Sequence, residues 1–451
     1  MNLKRILSCL LMLTLILTSV VLFSGCDEKA PSTGGVTTVK VWSNAGATKE
    51  TMTNMVNNYN NTTGKEKGIK IEYTVYGDDY KTLVDLAFQN DQAPEILKVN
   101  GSKEPYAEKG DIYPINDLPG GEEFLKDYGF TPLNGDDTFK GKSYFVPSEV
   151  TKTGLIYNKD LFKKAGLVDA SGNPTLPETW EEVREYAKKI TNEKDRVYGI
   201  ALPLKFSGFY EFMVDIPFSA SYKGSSVVDI DCNNLTYDYG NLKAPFEWLA
   251  KIKDDGSAFP GAENLDNDTA RAQFAEGRVG MIISQSWDVG VLTTQFIADC
   301  DWDVAPIPLL TKGERNPTRE LVSGIFCVSK SVENTDAEKV MEVYKLFHSK
   351  ELQTKLYESG LSMPFRQEII QNANTSDIIP QWASYGKIGG GYERRLRPNL
   401  KLEGDKVDEA PLKIWAKMSN ADEIIQDVNK RYTDAFKSGV ENGSINLDLY
   451  K

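Results

Sequence analysis

The side chains that usually betray an enzyme are sparse in this chain. It has one histidine, His348, following Phe347 at the end of a helical pattern. A single histidine excludes His-rich zinc patterns and leaves one place for a Ser-His-Asp triad, and no G-x-S-x-G occurs. A histidine on the surface, or satisfied by its own helix, fits that position better than a base. "GDDTFKGKS" (135–143) has the glycines and Lys-Ser of a phosphate-binding loop. It spaces the glycines by five residues instead of four, and no strand leads into it. Carboxylates are abundant, so a two-carboxylate glycosidase stays open on composition, although nothing singles out a pair. The remaining chemical resource is aromatic. Trp42, Trp287, Trp302 and Trp382 fall near expected loops, where flat faces beside polar groups suit the C–H patches and hydroxyls of sugars. Trp180 and Trp248 lie on periodic helix faces and are expected in the core.

These residues need a scaffold, and its first hundred residues after the leader are legible. "TVKVW" alternates as a strand, and Met52, Met55, Val56 and Tyr59 recur at helical spacing. "IKIEYTV" is a second strand, Tyr80, Leu83, Val84 and Ala87 a second helix, and "PEILKV" a third strand. Strand and helix in alternation predict βαβ units and a parallel sheet, whose ligands gather at the carboxyl ends of the strands. The loops there are Ser43–Gly46, Tyr76–Asp79 and Asn100–Ser102, edged by Trp42 and Tyr76. Further on, Thr179 and Glu182 form a capping box ahead of Trp180, Val183, Ala187 and Ile190. "FAEGRVGMIISQSWDVGVL" reads as a helix end, a strand and a polar turn carrying Trp287. "WDVAPIPLL" is a strand broken by prolines, and "LVSGIFCVSK" is a single apolar strand. The last eighty residues are expected to be helical, with an irregular stretch near 386–398.

The N-terminus supplies an address. Lys4 and Arg5 precede an uncharged, mostly apolar run from Ile6 to Phe23, then "FSGC" ends at Cys26, as in a secretory signal. "LFSGC" resembles the lipobox of bacterial lipoproteins, with Phe23 where that pattern usually has Leu. The resemblance makes 1–25 a signal peptide and Cys26 the lipidated N-terminus, an uncleaved membrane anchor being the alternative. "DEKAPSTGGVTT" behind it is polar and Gly/Ser/Pro-rich, and 26–35 reads as a flexible tether. Net charge is −13, from 52 Lys and Arg against 65 Asp and Glu, so a nucleic-acid partner is not expected. Arg394, Arg395 and Arg397 form the one basic cluster. Cys232, Cys300 and Cys327 show no metal spacing and allow at most one disulfide, and Cys327 in "GIFCVS" reads as a buried thiol.

"GLIYNKDLFKKAGL" (154–167) followed by "PETWEEVREYAKKIT" resembles the signature of the family 1 extracellular solute-binding proteins, relatives of the maltodextrin-binding protein that feed ABC importers. "QAPEILKVN" stands upstream, and "FAEGRVGMIISQSW", "DVAPIPLL" and "LVSGIFCVSK" follow in family order. Gln285-Ser286 replaces an Asn-Gly-like pair before the tryptophan, and 367–412 has no alignable pattern. The resemblance implies an α/β, two-lobed, periplasmic-binding-protein-like fold with a ligand cleft between the lobes and several hinge crossings. Lobe 1 is expected to comprise 36–150 and 306–370, and lobe 2 to comprise 151–305 and 371–451. "VPSEVTKTGLIYN" would be the first crossing, "VAPIPLL" the return, and a third would fall near Phe365–Gln371. Trp287 matches the family's sugar-stacking position. Asn44, Tyr76, Asp79 and Asn100 would line the first lobe, Glu149 and Thr151 the hinge side, and Trp42, Tyr210 and Ser323 complete the expected substrate-binding set.

The implied function is a lipid-anchored, monomeric receptor on the outer face of the cell membrane. It would capture an oligosaccharide by hinge closure and deliver it to ABC permease subunits, with no cofactor, metal or nucleic acid. The membrane would be met through the lipid alone. The alternatives are a secreted carbohydrate-active enzyme, an adhesin or sensor on the same scaffold, and a receptor for a non-sugar solute such as a polyamine or a glycerol phosphodiester.

Overall fold

The computed structural model describes residues 35–46, 48–77, 79–99, 103–132, 137–223, 226–318, 321–374, 376, 378–388 and 397–450. The expected signal peptide, Cys26 and the expected tether up to residue 34 lie outside them, as do Asp78, Asn100 and the arginines at 394 and 395. Among the described residues no helix is long and apolar enough to cross a membrane.

Alternating apolar residues build the first sheet. Its strands stand in the order Ile69–Val75, Thr37–Ser43, Ile96–Lys98, Phe326–Ser329, Ile112–Tyr113. The first three run parallel, as βαβ units require, and Phe326–Ser329 enters antiparallel between its neighbours. Val39, Val41, Ile69, Ile71, Ile96 and Leu97 pack there with Val340, Tyr344 and Phe347 of a late helix, Ala337–Phe347. This core therefore joins two stretches far apart in the chain.

The second sheet orders Trp302–Pro306, Thr153–Asn158, Val279–Gln285 and Tyr198–Ala201. Thr153–Asn158 is antiparallel to both of its neighbours, and both faces of it and of Val279–Gln285 are buried. A strand buried on both faces reads as a continuous apolar run, which is why "GLIYN" does not alternate. Asn158 ends it and caps the short helix Lys159–Lys164, its side chain accepting from the Leu161 amide at 3.0 Å. The capping box at Thr179 and Glu182 forms as expected, and Trp180, 1% exposed, stacks on Phe218 at 4.2 Å.

Three passages run side by side between the two lobes. Glu149–Thr151 pairs antiparallel with Leu321–Ser323. The Val150 amide donates to Met363 O at 2.9 Å, and the Phe365 amide donates to Ser148 O at 3.1 Å. "LVSGIFCVSK" is thus two strands, Leu321–Ser323 in the hinge and Phe326–Ser329 in the first sheet. Gly324 makes the break, with φ +67° and no room for a Cβ, which would sit 2.1 Å from Ser148 Oγ. The return lies later than Pro306–Leu310. Ile307 and Leu309 stay buried in the second core, and Leu309 exchanges backbone hydrogen bonds with Glu178 and Trp180. Proline ends the strand there, but apolar side chains beyond it still seek the core they border.

Candidate functional site

Three groups of residues converge on the hinge side of the two sheets. On the first lobe, the loop after Thr37–Ser43 meets the end of Ile69–Val75. The Tyr76 amide donates to Ser43 O at 2.8 Å, and the Trp42 and Tyr76 rings meet edge to face at 5.0 Å. Tyr80 lies beneath, its hydroxyl donating to Lys98 O at 2.7 Å. Asn44 is half-buried in this loop, while Asp79 is exposed at the N-terminus of the helix Tyr80–Gln89 and makes no side-chain cap. Asn100 lies outside the described residues.

The passages supply the second group. Glu149 and Ser323 face each other across the hinge ladder, and the Ser323 hydroxyl donates to Glu149 Oε2 at 3.3 Å. Thr151, also half-buried, pairs with Leu321. Ala45, Thr48, Lys98, Ser148 and Glu149 line one narrow cavity, so the loop after the first strand faces the first passage. Burial pushes the Tyr73 phenol up, and the Glu149 charge adds to it.

The third group belongs to the second lobe. The strand Val279–Gln285 ends in a turn built by Asp288, which is 3% exposed. Its carboxylate accepts from Ser284 Oγ at 2.5 Å and from the Gln285 amide at 3.1 Å, and it pairs with Arg271. Gln285 takes the Thr153 hydroxyl at 2.6 Å and donates through Nε2 to Phe212 O at 3.2 Å. With its neighbours buried and satisfied, Trp287 is left 40% exposed, and its ring meets Phe212 at 5.4 Å. Phe212 sits on a π-helical turn, Tyr210–Asp215, a wide turn often found at functional sites. Arg397 grips that turn through Asp215, with a bidentate pair at 2.9 and 3.2 Å.

Several expectations change here. Tyr210 is buried in the second core, its phenol pushed well up by burial and then by Asp215; Phe212 on the same turn is half-buried instead. Trp302 and Trp382 are core residues, one on a sheet strand and one on the helix Pro380–Lys387, because each has an apolar neighbour shell that covers it. His348 takes the helix-satisfied one of its two expected placements and is buried. It donates through Nδ1 to Tyr344 O at 2.8 Å, and burial pulls its pKa down to about 4, so it is a neutral packing residue. Lys142–Ser143 and Thr138–Phe139 of the phosphate-loop lookalike form a small hairpin. Among the described residues no group of side chains could hold a metal, and Cys300 and Cys327 are free thiols. Sequence reasoning missed Phe206, Phe212, Asp288 and Lys152. The aromatic density of "KFSGFYEF" was the available signal for the first two.

A family model described as bacterial extracellular solute-binding protein matches residues 45–352. Three Brucella relatives described only as binding proteins are 24% identical over 269 residues, and the chain spans only 61% of their length. A diacetylchitobiose binding protein of Streptomyces coelicolor is 23% identical over 332 residues, 66% of this chain and 70% of its own. An sn-glycerol-3-phosphate-binding periplasmic protein of Brucella melitensis is 23% identical over 424 residues, 89% of this chain and 88% of its own. Among solved structures, a cyclic alpha-maltosyl-1,6-maltose binding protein from Arthrobacter globiformis superposes with a TM-score of 0.66 at 19% identity, covering 90% of this chain and 100% of that one. At that identity the likeness establishes the two-lobed fold.

Proposed function

The chain belongs to the bacterial extracellular solute-binding protein family, and from that premise we propose that it is the receptor of an ABC importer, anchored by lipid at Cys26, that captures an oligosaccharide without altering it. The observation that carries this reading is Trp287, a large aromatic held 40% exposed on a turn whose every neighbour is tied down. An exposed indole on a rigid mount offers a flat apolar face at little entropic cost on binding. Trp42 and Tyr76, with Glu149 and Ser323 between, offer the opposing wall and acceptors for hydroxyls. A solute touching both walls binds the closed arrangement better than the open one and shifts the population toward it. The lobes that close are, on this reading, 36–150 with the segment from 321 to the third passage, and 151–320 with the C-terminal part.

A second reading has one observation in its favour. The sn-glycerol-3-phosphate-binding relative is matched over 89% of the chain, more than the chitobiose-binding one. A small phosphorylated polyol is therefore the alternative solute. A thermal-shift screen of the mature domain against neutral mono-, di- and trisaccharides and glycerol phosphates decides between them, since ligand bound only to the folded state raises the melting temperature. A rise with sugars alone supports the proposal. A rise with glycerol phosphates alone transfers it to the second reading, and recovery of cleaved sugar after incubation replaces it with an enzyme.

A further inference from the structure

The second lobe carries an open bowl of about 610 Å³ at the end remote from the cleft. The strand Thr153–Asn158 marks the separation. Thr153 pairs with Gln285 at the turn that carries Trp287, and Asn158, roughly 17 Å away at 3.3–3.4 Å per residue, starts the helix Lys159–Lys164. Leu161, Lys164 and Ala165, from that helix and its C-cap, form one wall. Lys189 and Ile190, at the end of the helix Trp180–Ile190, form a second. The turn 191–197 closes the third side. Its Asn192 and Val197 amides donate to each other's carbonyls at 2.8 and 3.0 Å, and Arg196 takes the left-handed region at φ +55°.

The floor of the bowl is apolar, and its polar side chains are already engaged. Ile190 is buried, while Leu161, Ala165 and Val197 are half-buried. The Thr191 hydroxyl donates to Ala187 O at 2.7 Å and accepts the Gly199 amide at 3.0 Å. Asn192 accepts the Lys194 amide at 3.2 Å and donates through Nδ2 to Asp195 Oδ2 at 2.8 Å. The rim has the opposite character. Lys164, Lys189 and Lys194 stand there against Glu193 alone, in a chain whose net charge is −13. Lys164 reaches Asp195 at 3.6 Å, and Lys189 stands 5.9 Å over the Tyr186 ring. A helix C-terminus favours a cation, which accounts for Lys164 and Lys189. Lys194 belongs to neither of those helices and, among the described residues, takes part in no ion pair.

A bowl of this size lies in the range that small molecules fill. A hydroxylated occupant would find the floor side chains already bonded. An apolar body would instead cover Leu161, Ile190 and Val197, and an acid group would meet the lysines. We propose that the bowl is a second ligand site, separate from the cleft, for a small amphipathic carboxylate: an apolar chain ending in one acid group. Lys189 and Lys194 hold the acid, and the apolar floor holds the chain. The site stands independently of what the cleft binds.

The test is calorimetric titration of the mature domain with octanoate, acetate, octanol and octylammonium. Octanoate should bind saturably. Acetate has the acid without the chain, octanol the chain without the acid, and octylammonium the wrong charge, so each should bind roughly tenfold more weakly or not at all. A double variant, Lys189→Gln with Lys194→Gln, keeps polar side chains without the charges. It should weaken octanoate by roughly three- to tenfold, the scale of two exposed charge contacts. Both lysines are exposed, so its melting temperature should match wild type. Lys194→Glu is a second, single variant that should weaken octanoate by repulsion. Trp287→Ala alters the cleft alone, and octanoate should bind it as it binds wild type. Equal binding of octanoate and octylammonium overturns the proposal. So does loss of octanoate in Trp287→Ala with the lysine variants unaffected, because the acid then occupies the cleft, and so does the absence of saturable binding by wild type.

Discussion

The Ser286 amide donates to the Lys152 carbonyl at 2.8 Å, and the Lys152 amide returns a hydrogen bond to the Ser286 hydroxyl at 3.2 Å. The turn that carries Trp287 is therefore stapled to the first passage between the lobes. Lys152 itself is 2% exposed, and its ammonium reaches the carbonyls of Ile388 at 3.0 Å and Gly386 at 3.4 Å. A buried cation survives only with such acceptors. Trp287 consequently rides with the hinge strand, and any rotation about the passages carries its ring with it.

Trp287→Ala should weaken binding of the preferred sugar by roughly ten- to a hundredfold, from a stacking contribution of ~1–3 kcal/mol, with the melting temperature nearly unchanged. Trp180→Ala is the contrast. Its ring is 1% exposed and packed between Phe218 and Trp248, so about 3–5 kcal/mol of stability should go, with little direct effect on affinity. Titration calorimetry and thermal melts on the two variants separate the roles; unfolding by Trp287→Ala with residual affinity intact would place the site elsewhere.

Gly324→Ala should damage the hinge rather than the first core. Its φ of +67° disfavours any Cβ by about 1–2 kcal/mol, and the clash with Ser148 Oγ adds to that. Small-angle scattering with and without solute should show closure impaired, and a variant that closes like wild type would remove Gly324 from the hinge account.

His348 makes stability depend on pH. Its pKa falls from 6.5 unfolded to about 4 folded, so the unfolded chain binds more protons between those values. The group's contribution is full above pH 6.5 and drains as pH falls toward 4, by about 3 kcal/mol in total. Urea midpoints at pH 7, 5.5 and 4 should track this loss, and His348→Leu should flatten it. An unchanged slope in that variant would assign the acid sensitivity to other groups.

Arg397→Met withdraws the bidentate partner of Asp215, which is 1% exposed. The expected cost is about 3–5 kcal/mol by urea unfolding, and Asp215→Leu in the same chain should recover much of it. If the double variant is no more stable than the single one, the pair is not what the loss reports.

Cys26→Ala should block lipidation, so that fractionated cells hold full-length precursor or release the protein to the medium. A mutant still processed and membrane-bound would refute the anchor.

How far the residues alone disclosed this molecule depends on the kind of signal. Strands such as Thr37–Ser43 and Ile69–Val75, and the capped helix at Trp180, were legible because one face is buried and periodicity reports that directly. Gly324 was not, because a left-handed break inside an apolar run leaves no trace in hydrophobicity. Trp302 and Trp382 were misplaced for a related reason: the burial of a tryptophan near a strand end is decided by what packs over it, here Phe274 and Tyr357. Phe206 and Phe212 escaped notice because the stacking of two rings is not encoded in their spacing.

The strand Phe326–Ser329 sits in the interior of the first sheet, between Ile96–Lys98 and Ile112–Tyr113. While the chain is being synthesised, the residues that flank that gap are made more than two hundred positions before the strand that fills it. Until Ser329 has emerged, the nascent first lobe carries two unpaired strand edges facing an empty slot and cannot complete its core. A chain that has to be threaded through a membrane before it folds gains from this order of assembly, because its topology postpones compaction until most of it has been made.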